Sequence, residues 1–218
     1  MVLKQRARSS SDKQQRRAHI LDTALELWAA HTFASFTMSE VATRSGLAKG
    51  TLYLYFQTKE ALFLALLARL LDAWFADLDA GLGSDDAWDV ARIGALICAT
   101  LERQSALTRL LPIAASVLEH NIPFDTAHAY KQQLLARATY TGALLEQRLP
   151  FLAAGDGMWL LLQVYALAVG LGQMADPALI VRQVLDAPEM APLRVEFGPT
   201  FRRTLLTLLH GLAADAPA

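Results

Sequence analysis

Apolar residues recur at steps of three and four along most of this chain, the spacing that places them on one face of an α-helix. The clearest run lies at about residues 59–80, where leucine and aromatic side chains form a wide stripe. Similar runs occupy about 12–31, 86–104, 108–121, 125–149, 156–175, 177–187 and 198–212. The only strand-like piece, residues 193–197, is interpreted as a loop. The pattern predicts an all-α protein.

Two much shorter helices are predicted near the start of the chain. Thr37 and Glu40 have the T-x-x-E spacing of a capping box, and Gly46 is expected to end the helix that they open. A second short helix follows at about 49–56. Two short helices joined by a glycine-containing turn predict a helix-turn-helix, in which the second helix reads DNA.

A helical wheel assigns faces to this second helix. Leu52 and Phe56 share the face that can pack on the preceding helices. The opposite face carries Gly50, Thr51 and Leu54, with Tyr53 and Tyr55 on its two flanks. Glycine costs about 1 kcal/mol relative to alanine inside a helix. Close approach of the backbone to DNA would explain Gly50, and a simple loop glycine is the alternative.

Charge and cysteine content narrow the function classes. The 218-residue chain has a net charge of −1, but residues 1–60 carry nine Lys/Arg and five Asp/Glu, so that a basic head precedes an acidic body. This distribution favours a polyanionic partner for the head. A single cysteine, Cys98, excludes an internal disulfide framework and suits a reducing compartment.

The stretch "TMSEVATRSGLAKGTLYLYFQTKEALF", residues 37–63, resembles the DNA-binding region of TetR-type transcriptional regulators, with the same spacing of apolar, aromatic and lysine positions. The preceding "RAHILDTALELWAAHTFASF" also fits. Two positions depart from the family pattern. Ala48 stands where a serine usually precedes the reading helix, and Thr32 or His31 stands where a glycine usually ends the first helix.

The resemblance implies a domain order and a DNA-binding surface. The expected segments are a basic flexible arm at 1–11, a helix-turn-helix domain at 12–58, a regulatory domain for ligand binding and dimerisation at 59–213, and a tail at 214–218. The arm is expected to reach along the DNA backbone or into the minor groove. The residues expected to contact DNA are Thr37, Ser39, Lys49, Gly50, Thr51, Tyr53, Leu54, Tyr55 and Lys59.

The resemblance also implies a homodimer with an effector cavity in the helical body. The expected dimer interface comprises Trp159, Leu162, Tyr165, Ala166, Val169, Gly170, Phe201, Leu205, Leu208 and Leu209, with an intramolecular core as the alternative for these apolar residues. Polar or aromatic residues within apolar helices are the candidates for ligand contact: Trp88, Cys98, Glu119, His120, Asn121, Phe124, Tyr130, Tyr140, Trp159 and Gln163. The absence of a cationic group in a clearly apolar stretch favours a neutral, apolar or aromatic effector.

The expected function is a cytoplasmic, nucleoid-associated bacterial repressor. It would bind a near-palindromic operator in double-stranded DNA and be released by a small, largely apolar ligand. The five histidines lack metal-ligand spacing and no phosphate-loop or hydrolase motif is present, so no metal, cofactor or enzymatic activity is expected. An activator or a ligand-independent regulator stays open within the family. Outside the family, the alternatives are an unrecognised enzyme and a membrane-associated protein resting on residues 158–175.

Overall fold

The computed structural model describes residues 2–84, 87–119 and 122–215, and every regular element in those ranges is helical. The all-α prediction is therefore confirmed. The helices are α1 (Val2–Ala30), α2 (Met38–Arg44), α3 (Lys49–Tyr53), α4 (Lys59–Leu82), α5 (Val90–Glu102), α6 (Ser105–Ile113), α7 (Phe124–Arg148), α8 (Asp156–Ala175), α9 (Leu179–Leu185) and α10 (Phe197–Ala214). A π-helical turn (Ala114–Leu118) follows α6, and a 3₁₀ turn (Pro188–Leu193) follows α9.

An aromatic cluster joins the end of α1, the loop that follows it and the start of α4. The ring of Phe63 meets those of Trp28, Phe33 and Phe36 edge-on, with centroid separations of 5.2, 5.0 and 4.6 Å. Edge-to-face geometry is favourable for aromatic pairs and adds to the stabilisation from burial. The long helix α4 thus begins inside the N-terminal domain and continues into the body.

Several helix boundaries differ from the sequence-based ones. The first helix begins at Val2 rather than near residue 12, so the basic segment expected as a flexible arm is helical from Val2 onward. Helix α6 spans Ser105–Ile113 and contains Pro112 in its last turn. Proline lacks the N–H that would bond the carbonyl four residues earlier, and its ring crowds that carbonyl. The chain accordingly leaves the α-helical form directly after α6.

Helices α7 and α8 cross at a pair of glycines. A Cβ atom at Gly142 would lie 2.7 Å from the backbone nitrogen of Met158, and one at Gly157 would lie 2.6 Å from the backbone carbon of Gly142. Only glycine therefore permits this crossing. Helix α8 also packs against α6 and α10, and α10 packs against α5.

Part of the expected dimer interface is instead internal. Phe201, Leu205 and Leu209 are buried and form the face of α10 that packs against α5 and α8 within one chain. The alternative of an intramolecular core is therefore correct for these three residues. Helix α8 is long and apolar enough to cross a membrane by length and composition, and in this structure it contacts three other helices.

Candidate nucleic-acid interface and effector cavity

The predicted capping box at the start of α2 is half formed. The hydroxyl of Thr37 accepts a hydrogen bond from the backbone N–H of Glu40 at 3.2 Å. The second half of the box would be a hydrogen bond from the backbone N–H of Thr37 to the carboxylate of Glu40. That carboxylate instead lies 3.5 Å from Nε2 of His31. Thr37 and Ser39 are both exposed at this end of the helix.

The turn between α2 and α3 depends on Gly46, whose φ of +65° lies in the left-handed region. The N–H of Leu47 donates to the carbonyl of Ala42 at 2.9 Å, and the N–H of Gly46 donates to that of Thr43 at 3.1 Å. This pair of bonds is the Schellman pattern that ends a helix. The prediction that Gly46 terminates α2 is confirmed, and α3 begins three residues after the turn.

The exposed side of α3 is the side that the helical wheel selects. Leu52 and Phe56 are buried, whereas Leu54 is 82% exposed and Tyr53 also faces solvent. Lys49 and Gly50 are exposed, and Thr51 and Tyr55 are half-buried. Ala48 is the N-cap of α3 and provides no side-chain hydrogen bond, as the missing serine predicts. A Cβ atom at Gly50 would meet nothing within 4 Å, so the fold itself does not require glycine there.

Lys59, expected to contact a phosphate, has a structural role within the protein. Its ammonium donates hydrogen bonds to the backbone oxygens of Phe33 at 2.8 Å and Phe36 at 3.3 Å, and it lies 4.2 Å from the centroid of the Phe33 ring. A cation at a helix N-terminus is disfavoured by the helix dipole, and these two carbonyls offset that effect. Lys59 therefore closes the loop between α1 and α2, and its contact with a DNA phosphate stays a prediction.

Helix α1 ends without the glycine that the family pattern usually places there, because other groups donate hydrogen bonds to its last carbonyls. Thr32 and Ser35 exchange hydrogen bonds between their hydroxyls and backbone N–H groups at 3.1 and 3.3 Å. The guanidinium of Arg109, which comes from α6, donates to the carbonyls of Trp28, Ala29 and His31 at 3.0, 3.3 and 2.9 Å. This contact joins the body of the protein directly to the DNA-reading domain.

The body contains a cavity of about 420 Å³ between α4, α6, α7 and α8. Glu119, Tyr130 and Trp159, three of the candidate ligand residues, line it. Trp159 also belongs to the expected dimer interface, as do Leu162 and Tyr165, which line the same cavity. Its other walls are mainly apolar side chains: Leu71, Trp74, Phe75, Leu101, Leu107, Leu111, Leu134, Leu135, Ala138, Met158, Leu161, Val164 and Ala168.

Five of the candidate ligand residues lie elsewhere. Trp88 donates to the carbonyl of Ser84 at 3.4 Å, and Cys98 is buried in the core on α5, where burial raises the pKa of its thiol. Phe124 and Tyr140 are exposed on α7, with Phe124 stacked on His128. Gln163 does not line the cavity, and its buried amide oxygen has no partner among the described residues. His120 and Asn121 lie outside the described residues.

The cavity has one polar end. Nζ of Lys131 donates a hydrogen bond to Oε1 of Glu119 at 2.8 Å. Burial raises the pKa of the Tyr130 phenol, and the nearby Glu119 carboxylate raises it further. The same two causes raise the pKa of Tyr165. Both phenols therefore stay neutral at physiological pH and can donate or accept hydrogen bonds.

A second, more open cleft of about 560 Å³ separates the reading domain from α7. Tyr55 and Phe56 line it from one side and Asp125 and Tyr130 from the other. Tyr130 therefore lies in the wall of both the cavity and the cleft. Among residues 2–84, 87–119 and 122–215, no group of three or more His, Cys, Asp or Glu is placed to hold a metal ion.

The sequence did not single out Lys131, Trp74 or Phe75. On α4 the two aromatic residues belong to the same stripe as ordinary core residues. Lys131 precedes Leu134, Leu135 and Ala138 by three, four and seven residues, which places it on the apolar side of α7. That spacing was the available signal for a cation at the cavity.

Comparison with known proteins accounts for both halves of the chain. The family model "Bacterial regulatory proteins, tetR family" matches residues 20–66, and "Tetracyclin repressor-like, C-terminal domain" matches residues 68–216. The transcriptional regulator RutR of Escherichia coli (strain K12) is 38% identical over 61 residues, which are 28% of this chain and 29% of RutR. This match therefore spans less than a third of the length of RutR.

Two broader likenesses extend beyond the reading domain. The transcriptional regulator SrpR of Pseudomonas putida is 23% identical over 143 residues, 63% of this chain and 67% of SrpR. A crystal structure of a putative TetR-family regulator from Syntrophomonas wolfei shares the fold, with a TM-score of 0.60 at 14% identity over 94% of this chain and 98% of that one. Regulators of this kind are DNA-binding cytoplasmic proteins that act as dimers, a class distinct from enzymes. This chain belongs to the tetR family of transcriptional regulators.

Proposed function

We propose that this protein is a repressor whose dimer binds a near-palindromic operator and leaves it when a ligand enters the 420 Å³ cavity. The observation that carries this proposal is the position of Arg109. Its helix, α6, lines the cavity through Leu107 and Leu111, while its guanidinium holds the end of α1 in the reading domain. A ligand that binds better when α6 is displaced shifts the protein away from the DNA-binding arrangement.

The proposed DNA-contacting surface is the exposed side of the helix-turn-helix. It comprises Thr37, Ser39, Lys49, Gly50, Thr51, Tyr53, Leu54 and the exposed part of Tyr55. Lys49 and the tyrosine hydroxyls suit phosphate oxygens, which position the protein on the duplex. Leu54, with its side chain almost wholly in solvent, suits the methyl group of a thymine. In cells the protein would be found with the nucleoid.

Replacing Gly50 by alanine tests this surface. The new methyl group meets nothing in the protein, and alanine is the better helix former, so the thermal midpoint should stay constant or rise. On DNA the same methyl group would hold the backbone off the groove, and we expect affinity to fall by at least about tenfold, or 1.4 kcal/mol. Fluorescence anisotropy with duplexes from the DNA flanking the protein's own gene, at fixed salt, measures this change.

Gly211→Ala is the matched control. Gly211 lies in α10, is exposed, and also has nothing within 4 Å of a Cβ position. This variant should bind DNA as the wild-type protein does. Wild-type affinity in Gly50→Ala would contradict the assignment of α3 as the reader, and equal affinity of the wild-type protein for all duplexes would contradict a specific operator.

We also propose that the homodimer forms through the outer face of α8 and through α9. Ala166 and Gly170 are exposed on α8, and Val169 and Leu208 are partly buried beside the core. Helix α9 contains no buried residue and exposes four apolar side chains, those of Leu179, Ile180, Val181 and Val184. Such a patch next to an exposed helix face is typical of a protein–protein interface. The apolar face of α10 is buried within one chain, so in this proposal α9 provides the exposed apolar area for the dimer interface instead.

Leu179→Asp tests the dimer. Leu179 is 71% exposed in the single chain, so aspartate should not disturb the fold. At an apolar interface an unpaired carboxylate costs about 2 kcal/mol or more, which corresponds to a dimer Kd raised by roughly 30-fold. Sedimentation at graded concentrations should show more of the single-chain species. Leu54→Asp, at a leucine that is 82% exposed at the end of α3, is the control and should keep the wild-type mass. An unchanged Kd in Leu179→Asp would exclude α9 from the interface.

A further inference from the structure

Glu119 is the acidic residue in the wall of the cavity. Its side chain is 27% exposed, and only one of its two oxygens receives a hydrogen bond from the described residues, that of Lys131. A carboxylate next to a largely apolar cavity is poorly solvated, and it gains most from a positive charge brought into contact with it. The polar end of the cavity is therefore electrostatically suited to a cation.

Lys131 shows where such a cation would sit. Its ammonium lies 2.8 Å from the Glu119 carboxylate and 5.4 Å from the centroid of the Tyr130 ring. The Lys131 side chain is 55% exposed, twice the fraction of Glu119. An ion pair with so exposed a partner contributes little to stability, and the flexible lysine can move into water at small cost. A ligand can thus take the place of this ammonium without leaving a buried charge unpaired.

The remaining walls fit the rest of such a ligand. Trp74, Phe75, Tyr130, Trp159 and Tyr165 provide aromatic surface around the cavity, and a cation near an aromatic face is attracted by the ring. The leucines that line the cavity accommodate hydrocarbon. An anionic ligand that paired with Lys131 would draw the ammonium away from Glu119 and leave the less exposed carboxylate unpaired, and a neutral ligand would leave the ion pair as it is.

We propose that the effector is a lipophilic cation whose positive group binds Glu119 in place of the Lys131 ammonium and whose apolar part fills the cavity. This inference rests on the proposed function of the cavity as the effector site. It replaces the sequence-based expectation of a neutral effector, which depended on finding no cation beside the apolar helices. The charge that determines the ligand preference is that of Glu119, the less exposed member of the ion pair.

Three amphiphiles of equal chain length test the charge preference. They are decyltrimethylammonium, decyl(dimethyl)phosphine oxide and undecanoate, which all carry a decyl tail, each titrated into the full-length protein below its micellar concentration. The intrinsic fluorescence of Trp74 and Trp159, which line the cavity, reports binding. We expect the cation to bind at least about tenfold more tightly than the neutral probe, and undecanoate to bind most weakly. DNA release by each probe is followed in parallel by anisotropy.

Two variants assign the preference to named residues. Glu119→Gln should remove most of the tenfold advantage of the cation and leave the neutral probe unaffected, because the shape of the side chain is kept. Lys131→Gln should strengthen binding of the cation, because it removes the internal competitor. Thermal midpoints of both variants, measured alongside, separate these effects from unfolding.

The outcomes distinguish this inference from the proposed function. Equal or tighter binding of the neutral or anionic probe overturns the cation preference. If that probe also releases DNA, the proposed repressor mechanism stands without the cation preference. Preferred binding of the cation with the DNA complex intact supports the cation site and overturns ligand release. If no probe binds, both the cation site and the cavity as an amphiphile site are overturned.

Discussion

Gly157→Ala is expected to lower the thermal midpoint by about 6–12 °C and to weaken ligand binding in the cavity. A Cβ atom at this position would lie 2.6 Å from the carbonyl carbon and 2.9 Å from the Cα of Gly142, and closer still to its carbonyl oxygen. These are backbone atoms, so no side-chain rotation relieves the overlap and the two helices must separate. Overpacking of this kind costs about 3 kcal/mol, the upper end of its usual range, and each kcal/mol shifts the midpoint of a chain of this size by roughly 2–4 °C.

The crossing of α7 and α8 also sets the width of the cavity, since Met158 follows Gly157 and lines it. Calorimetry should show the loss of stability, and tryptophan fluorescence with decyltrimethylammonium should show the weaker binding. Gly142→Ala should behave similarly, because its Cβ would lie 2.7 Å from the backbone nitrogen of Met158. Gly211→Ala should not. A Gly157→Ala protein with the wild-type midpoint would show that the helices can move apart at no cost.

Hydropathy spacing predicted the elements that are held by their own apolar faces. Leu52 had to be buried if α3 formed at all, because one face of so short a helix is all that can pack, and Phe56, three residues after α3 ends, is buried as well. The same reasoning located α4, α7 and α8 to within a few residues. The turn at Gly46 was predictable because its positive φ is a property of the local chain.

Partners distant in the sequence were not predictable in the same way. The carbonyls of Phe33 and Phe36 that hold Lys59 are present in every peptide bond, so no side-chain pattern reveals them. The stripe on α10 is equally consistent with an internal face and a dimer face, and only the positions of α5 and α8 decide between them. The leucines that line the cavity have the same spacing in the sequence as those of a filled core, so the pattern does not reveal the cavity.

Arg109→Met is expected to destabilise the reading domain and to reduce its response to ligand. The guanidinium places three donor–acceptor contacts on the last carbonyls of α1 and lies 4.7 Å from the centroid of the Trp28 ring. Helix α1 has no basic residue of its own in its last turn, so Arg109 supplies the positive charge that favours a helix C-terminus. Hydrogen bonds from a charged donor contribute about 1.5–3 kcal/mol, and methionine keeps the stem that packs on Trp28 while removing that contribution.

The functional readout is the ratio of the DNA Kd values with and without saturating decyltrimethylammonium. In the wild-type protein, displacement of α6 pulls on the end of α1 through Arg109, so the ratio should be large. In Arg109→Met it should approach one, although the probe still binds, because Arg109 does not line the cavity. Arg103→Met is the matched control: its guanidinium is exposed and lies 4.0 Å from Asp77 on the surface, and the ratio should keep its wild-type value. A wild-type ratio in Arg109→Met would show that another route is sufficient for coupling. One such route is the hydrogen bond from the Trp28 indole to the carbonyl of Ala106, which also joins α1 to α6, and the other is the path through α4.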